Sequence, residues 1–583
     1  MQKRWQLAPK VDAEIIKQFP ELNEVVLQLL NNRGLNNQAL IDEFLLPNYD
    51  AHVHDPFLFK DMAKAVERIF LAAKRQEKVM IYGDYDADGV CSTTIMFATL
   101  KKLGAEVDYY IPFREGEGYG LNLPAAQKIA ERKFTLVITV DCGVSNHKEI
   151  AYLKEQGIDT IVLDHHQEPM ERPQAFALID PALVDSGYPY KYLCGAGVGF
   201  KVVQALMLKQ SQSDIMVTLP SGYEKWLLDL VALATVADIC PLIGENRALV
   251  KYGLIVLEKT KRLGLQKMIK SINENNNQVM DTKFIGWRLA PRLNAAGRIG
   301  HAGNSFNLLI CDEQDKADNL IINLEDSNML RQKMTEKAMK EALEYLSDTV
   351  LTSRILVAVN DGWEMGIVGL VAGRLTDRFS RPALIMTKKT EVIGNETVVK
   401  FVGSGRSIPA FDITKALKEC DELLARYGGH AQACGFTILG EDNLEKFKIK
   451  IMALAEEKLQ NADLRPTIDI EAEVKLAEIN WELWENINKF EPFGEGNDVP
   501  LFVARHLIVE TIKAVGNDGK HLSVLVSQEG YPNLHKLIGF SFGEWCAKLK
   551  RGDKIDVIFE LGVNQWNGNR ELQLKIIDLK LSE

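Results

Sequence analysis

Three carboxylates stand within the six residues Asp84-Tyr85-Asp86-Ala87-Asp88-Gly89. Acids this close repel one another unless protons or cations neutralise them, so a divalent-metal site is the first chemistry the spacing suggests. Asp-x-Asp-x-Asp-Gly also opens a calcium loop, which requires a bidentate Glu at its twelfth position and a helix on either side. Counted from Asp84, that position is Ile95, and the residues before the loop read as a strand. Calcium of that kind is excluded.

The elements that must position these acids are legible around them. Val79-Met80-Ile81-Tyr82-Gly83 is a short apolar run, and such runs read as buried strands. Asp86-Ala87-Asp88-Gly89-Val90 after a strand also fits the aspartyl nucleophile loop of haloacid-dehalogenase-type phosphatases, so the downstream residues must decide. Leu136–Val140 is a second run and ends in Asp141-Cys142-Gly143; Thr160–Leu163 is a third and ends in Asp164-His165-His166. Helix-like stretches follow, Cys91–Leu103 and Ser145–Gln156. Strand–helix–strand repetition makes the strands parallel, so their carboxyl ends share one edge, where open α/β sheets place ligands. Asp86, Asp88, Asp141, Asp164, His165 and His166 are expected to converge there. Asp238, closing the apolar helical stretch Trp226–Val236, is a further candidate. Oxygen ligands with one or two imidazoles suit Mn²⁺ or Mg²⁺ better than structural zinc.

Asp-x-Asp, Asp-Cys-Gly, Asp-His-His and a late Ala-Asp, in this order, resemble the DHH phosphoesterase superfamily. Tyr82–Gly89, Pro291-Arg292-Leu293-Asn294-Ala295-Ala296-Gly297-Arg298 and Gly428-Gly429-His430-Ala431-Gln432-Ala433-Cys434-Gly435 extend the resemblance to its RecJ single-strand-specific DNA exonucleases, from about Asp55 to the C-terminus. In one respect the chain departs from the pattern: Tyr82 stands where many superfamily members have histidine, and a phenol is a poor ligand near neutral pH.

The resemblance implies a fold of two α/β domains, a parallel-sheet DHH domain and a DHH-associated domain, joined by a long helix and followed by an OB-like β-barrel. Composition shifts divide the chain accordingly: an N-terminal helical segment at 1–54, a metal-binding domain at 55–311, a connecting helix at 312–347, a substrate-binding domain at 348–462 and a single-strand-binding barrel at 463–583. The stretch from Asp312 to Leu346 has no Gly or Pro and reads as one helix. After Arg465-Pro466 short alternating strands appear, with hairpin turns marked by Asn517-Asp518-Gly519 and Asn567-Gly568. Phe502, Phe540, Phe542 and Trp566 either stack on bases or fill the barrel core.

Composition excludes several classes. Charged residues make up 26% and hydrophobic residues 46%, as in ordinary globular proteins. No apolar stretch reaches membrane-span length, and the first residues do not read as a signal peptide. Eight cysteines without a Cys-x-x-Cys pair read as reduced thiols, which fits the cytoplasm. The net charge of −11 argues against a generally basic nucleic-acid binder; the expectation is an acidic exterior with a basic channel. The stretch holding Arg292 and Arg298 reads as a loop, because Asn294, Gly297 and Gly300 interrupt it.

By resemblance, two ions bridged by Asp141 are expected. Asp86 and Asp141, with Asp84 near, would hold one, and Asp88, Asp141, His165 and Asp238 the other. His166 would act as a positioned acid or phosphate contact, and Asp164 would orient a histidine. Arg406, Ser407 and His430 are expected to face the metals and grip a phosphate, with Arg298 and Arg114 assisting. The implied activity is processive 5′→3′ digestion of single-stranded DNA to mononucleotides in repair and recombination, with a single-strand-binding protein and a helicase as partners. A phosphodiesterase of short oligonucleotides or cyclic dinucleotides is one alternative; a nonenzymatic DNA-binding member without metals is another, and it would be expected to lack several of the acids present here.

Overall fold

The computed structural model describes residues 3–212, 217–273, 279–393, 396–566 and 569–582. The chain forms two compact units, one comprising His54–Cys240 and Tyr252–Pro466, the other Gln2–Val53, Pro241–Lys251 and Thr467–Glu583.

The first unit opens with strands β1 (Lys78–Tyr82), β2 (Glu106–Tyr110), β3 (Leu136–Val140), β4 (Asp159–Leu163) and β5 (Ala177–Ile179). They form one sheet in the order β2-β1-β3-β4-β5, every pair parallel. All five residues of β3 are buried, as expected of a parallel strand covered on both faces. Helices Leu123–Glu131 and His147–Glu155 cover one face through Ala125, Ile129, Ile150 and Leu153. Helices α1 (Ala87–Lys102) and α2 (Gly195–Lys209) pack on the other. α1 is capped by Asp86, whose Oδ1 accepts from the N–H groups of Asp88 and Gly89 at 2.9 and 3.1 Å. Its interior Ser92, Thr93, Thr94 and Thr99 return their hydroxyls to carbonyls one turn back, which lets polar residues sit fully buried.

Helix α3 (Leu228–Ala237) delivers Asp238 at its C-terminus, and α4 (Ala290–Ile299) packs against α5 (Gln314–Tyr345). α5 is the expected connecting helix. α4 replaces the loop expected around Arg298. Its apparent breakers have tertiary tasks: Asn294 Oδ1 accepts from the Ala87 N–H at 2.8 Å, and a Cβ on Gly297 would lie 2.2 Å from the Tyr85 carbonyl oxygen. Close packing of α4 on the acidic loop outweighs the local turn preference.

The second sheet of this unit contains β6 (Leu356–Asn360), β7 (Ala383–Ile393), β8 (Glu396–Arg406), β9 (Arg426–His430) and β10 (Ala433–Leu439), with helix α6 (Met365–Phe379) between β6 and β7. The order is β9-β10-β8-β7-β6, with β6 and β7 parallel and the other pairs antiparallel.

The second unit contains a closed barrel of Leu501–Val515, His521–Gln528, Tyr531–Gly539, Asn569–Leu581 and Lys554–Trp566, in that order, the last pairing back onto the first. Asn517-Asp518-Gly519 connects the first two strands, Gly519 at φ +64°; the Asn567-Gly568 turn lies outside the described residues. Phe502 and Phe559 fill the core and Phe542 packs against it. Phe540 is 51% exposed. The side chain of Trp566 is outside the described residues.

One expectation for 1–54 needs amending, because it is not helical throughout. Arg4–Leu7 is a strand paired in parallel with Thr467–Ile470, and Leu27, Leu30 and Phe44 join the barrel core. Arg247, from the segment placed by sequence in the metal-binding domain, is fully buried in this unit. It stacks on Phe44 and donates to the carbonyls of Phe44, Lys489, Phe490 and Glu491. All eight cysteines are unpaired. Among the described residues no helix is long and apolar enough to cross a membrane.

Candidate active site

The carboxyl ends of β1, β3 and β4 bring together the acids that follow them. His165 Nε2 lies 3.0 Å from Asp141 Oδ1, 3.6 Å from Asp88 Oδ2 and 3.8 Å from Asp238 Oδ2. Candidate ligand atoms cluster within 4.8 Å of one another in three sets: Asp84, Asp86 and Asp141; Asp88, His165 and Asp238; Asp141, His165 and His166. The first set groups Asp84 with Asp86 and Asp141; the second holds Asp88, His165 and Asp238 without the Asp141 that the resemblance implied there, although His165 Nε2 lies 3.0 Å from Asp141 Oδ1.

The electrostatics of these groups call for cations. Burial and the neighbouring Asp86 hold the Asp84 carboxyl well above its usual range. Burial and Asp88 do the same to Asp141. Asp88 is pushed up to about 6 by burial and Asp86, and Asp238 to about 8 by burial and Asp88. Asp84 Oδ1 is buried with no hydrogen-bond partner, a cost that an ion or proton must offset. Burial, reinforced by His166, holds His165 down at about 3, leaving the neutral imidazole that a metal requires. This donor set fits Mn²⁺ or Mg²⁺.

Asp164 and His166 form a separate couple. Burial opposes ionisation of Asp164, yet the hydrogen bond from His166 Nδ1 at 2.7 Å and the N–H groups of Val144, His165 and His166 hold its carboxyl below the usual range. Burial disfavours the His166 cation, but Asp164 overcomes it and raises the imidazole to about 9. Asp164 therefore holds His166 charged.

Facing the acids across a cleft of about 570 Å³ are basic groups from other elements. Arg114 lies over the Tyr85 ring at 3.9 Å and donates to the Gly297 carbonyl at 3.1 Å. Arg298, in the last turn of α4, donates to the Gly366 carbonyl at 3.1 Å, and burial with Arg114 lowers it to about 9. Arg406, at the end of β8, is held by the Gly405 carbonyl at 2.9 Å and Ser404 Oγ at 3.2 Å. Gly366 and Gly369 keep this face of α6 open: a Cβ on Gly366 would meet the Arg298 carbonyl at 2.3 Å. The cleft thus has an acidic wall opposite a basic one, where a basic channel was expected.

Two expected phosphate contacts stand elsewhere. Ser407 is buried, and its hydroxyl donates to the Phe411 carbonyl at 2.5 Å. Side chains alternate along a strand, so the serine that lines the cleft with Arg406 is Ser404, two residues earlier. His430 is exposed at the end of β9 and does not line the cleft; it is nonetheless near enough to His166 for that charge, after burial, to lower its basicity.

Sequence reasoning also missed Tyr119 and Asn294, which line the cleft, and the start of α2. There the N–H groups of Gly195 and Ala196 donate to the two oxygens of Asp88 at 2.6 and 2.7 Å, the usual task of a helix N-terminus toward an anion. The run Gly195-Ala196-Gly197-Val198-Gly199 opening an apolar stretch was the available signal.

Comparisons with known proteins agree with this geometry. Family models described as the DHH family N-terminal domain, the DHHA1 domain and the RecJ OB domain match residues 78–235, 347–457 and 470–578. The chain is 36% identical over 587 residues to the single-stranded-DNA-specific exonuclease RecJ of Bacillus subtilis, covering 100% of this chain and 71% of the relative. It is 32% identical over 530 residues to that of Escherichia coli, covering 88% and 89%. The crystal structure of Thermus thermophilus RecJ with Mn²⁺ superposes with a TM-score of 0.82 at 26% identity, covering 100% of this chain and 80% of that one. The Mg²⁺ complex of that protein gives 0.76 at 25% identity, covering 100% and 79%. Identity of 36% along the whole sequence, with the three family domains in order on this chain, establishes that the chain belongs to the RecJ family of single-stranded-DNA-specific exonucleases.

Proposed function

We propose that this chain hydrolyses single-stranded DNA from its 5′ end, releasing 5′-mononucleotides with the help of two Mn²⁺ or Mg²⁺ ions. The observation that carries the reading is a single cleft with buried acids on one wall and Arg114, Arg298 and Arg406 on the other. Asp84, Asp86 and Asp141 are assigned to one ion; Asp88, Asp141, His165 and Asp238 are assigned to the other. Bound ions at such a site acidify water and neutralise the attacking and leaving oxygens of a phosphodiester.

The chain's own groups do the rest. His166, held by its hydrogen bond to Asp164, contacts a phosphoryl oxygen or gives up a proton to the departing one. The three arginines, Arg406 being steadied by Ser404, grip the terminal phosphate and so register the strand from its 5′ end. His430 contacts the strand at the margin. Phe540 offers a stacking surface on the barrel. The working division is 1–54, 55–311, 312–347, 348–462 and 463–583, with the barrel holding the single strand. The cellular role we assign is repair and recombination in the cytoplasm, with a helicase supplying unwound ends and a single-strand-binding protein covering them.

The test is incubation with Mn²⁺ and end-labelled single strands, duplexes, dinucleotides and cyclic dinucleotides. Early release of the 5′ label as mononucleotide from long single strands is expected. Cleavage confined to dinucleotides or cyclic dinucleotides would replace this reading with the small-substrate alternative.

A further inference from the structure

Tyr119 sits in a glycine-rich turn, Glu115-Gly116-Glu117-Gly118-Tyr119-Gly120, whose three glycines have φ of +99°, +80° and +81°. A chain with that freedom does not hold a side chain in place by itself. Three residues fix it. The Glu117 carboxylate accepts from the Phe113 N–H at 2.8 Å and from the Tyr110 hydroxyl. Asn146, five residues after Asp141, clasps Leu121 on both sides, accepting from its N–H at 3.1 Å and donating to its carbonyl at 2.8 Å. Tyr82, fully buried at the end of β1, donates its hydroxyl to the Gly120 carbonyl at 3.0 Å and accepts from the Asn122 amide at 3.2 Å.

The loop so anchored delivers one hydroxyl to two site residues. Tyr119 Oη donates to the Asp141 carbonyl at 3.1 Å and lies 3.1 Å from His166 Nδ1. The Asp164 carboxylate, 2.7 Å from the same nitrogen, requires a proton there, so the phenol oxygen accepts a share of that N–H while its own O–H donates to the Asp141 backbone carbonyl. Asp141 has φ +58°, in the left-handed region that costs a residue with a Cβ about 1–2 kcal/mol. A backbone bent that way persists only where its surroundings hold it, and the Tyr119 hydroxyl caps its carbonyl.

We propose that Tyr119 is a positioning residue: its hydroxyl aims the Asp141 carboxylate and the His166 ring, and Tyr82 is the anchor that makes this possible. Tyr82 thereby gains a task outside the metal shell, at the position where many superfamily members carry histidine. The inference rests on the two-ion reading above. It predicts effects on metal affinity and turnover, not on the grip of the strand.

Tyr119→Phe keeps the ring and removes the hydroxyl. Loss of such a supporting contact typically costs 10–100-fold. Calorimetric titration of the DNA-free protein with Mn²⁺ should show affinity weakened by about 10-fold, and kcat on single strands should fall by about as much, with KM within about two-fold of wild type. Tyr82→Phe should move the same two quantities in the same direction by less. Unchanged Mn²⁺ affinity and kcat in Tyr119→Phe would overturn the proposal, as would a rise in KM alone, which would make Tyr119 a strand contact. Because the titration needs no substrate, an unexpected substrate leaves its outcome intact; a wild-type protein that binds no Mn²⁺ would overturn the two-ion reading and this one with it.

Discussion

The two walls of the active-site cleft are built on opposite plans. The acidic wall comes from contiguous motifs at the ends of adjacent parallel strands, so its members converge whatever the loops beyond them do. The basic wall takes one arginine each from the loop after β2, the end of α4 and the end of β8. Its cations are held by carbonyls, Gly297 for Arg114, Gly366 for Arg298 and Gly405 for Arg406, and no carboxylate ion pair is found for any of them among the described residues. Arginines desolvated without a directly paired carboxylate are costly; Asp84 and Asp86 act on Arg114 and Arg298 only from a distance, and a polyanionic substrate offsets the remaining cost. The acids likewise wait for cations. Each wall is thus incomplete in charge, with opposite sign.

Breaking the acidic wall should have the largest effect. Asp141→Ala removes the acid shared by two of the three ligand clusters, and activity should fall by well over ~100-fold, the upper range for losing a ligand's supporting partner. Far-UV circular dichroism should stay at wild type; retained activity would refute the ligand assignment. Arg406→Ala breaks the other wall and should separate the two. Hydrogen bonds to charged groups contribute roughly 1.5–3 kcal/mol, so digestion of a 5′-phosphorylated strand should slow by roughly 10–100-fold while Mn²⁺ affinity holds. An equal loss of Mn²⁺ affinity would show that the walls are not independent.

This contrast also explains what the sequence disclosed. A strand followed at once by an acid is a local signal, and Asp86, Asp88, Asp141, Asp164, His165 and His166 could all be placed from such signals. The division into two sheets, a long helix and a barrel was legible for the same reason, because each rests on periodicity and turn residues. Legibility ended where a residue's task is set by something distant in sequence. Gly297 looks like a helix breaker until Tyr85 is seen against it. Ser407 looks as suitable as Ser404 until the strand's register shows which face meets the cleft. Arg4–Leu7 is too short to read as a strand until Thr467–Ile470 pairs with it.

Proton and metal should compete for the acidic wall, which gives a stability test that needs no substrate. In the metal-free protein Asp88 and Asp238 titrate near 6 and near 8, by burial and like charge, against about 3.9 unfolded. The native state therefore binds more protons than the unfolded state over that window, and stability falls as pH rises through it. His166, raised to about 9 by Asp164, works in the same direction above its ordinary value. In EDTA the Tm should drop by several degrees between roughly pH 5.5 and 8.5, and Mn²⁺ should remove most of the drop by pairing the carboxylates. A Tm in EDTA that is flat or rises over this range would contradict the crowded-acid description.

The smallest effect should come from two serines three residues apart, and it sharpens the basic wall most finely. Ser404 Oγ donates its one proton to the Cys434 carbonyl at 3.1 Å and accepts from Arg406, so Ser404→Ala loosens the guanidinium. A neutral hydrogen bond contributes about 0.5–1.5 kcal/mol, so kcat/KM on 5′-phosphorylated strands should fall by roughly 2–10-fold. Ser407 faces away, and Ser407→Ala leaves the buried Phe411 carbonyl without its hydroxyl donor. That variant should lose about 1 kcal/mol of stability and keep wild-type kcat/KM. If the two substitutions exchange these signatures, with Ser407→Ala slowing digestion and Ser404→Ala only lowering Tm, the strand would have to present its other face to the cleft. Arg406, which shares its face with Ser404, would then turn away too, and the basic wall would lose the residue on which its grip of the strand end depends.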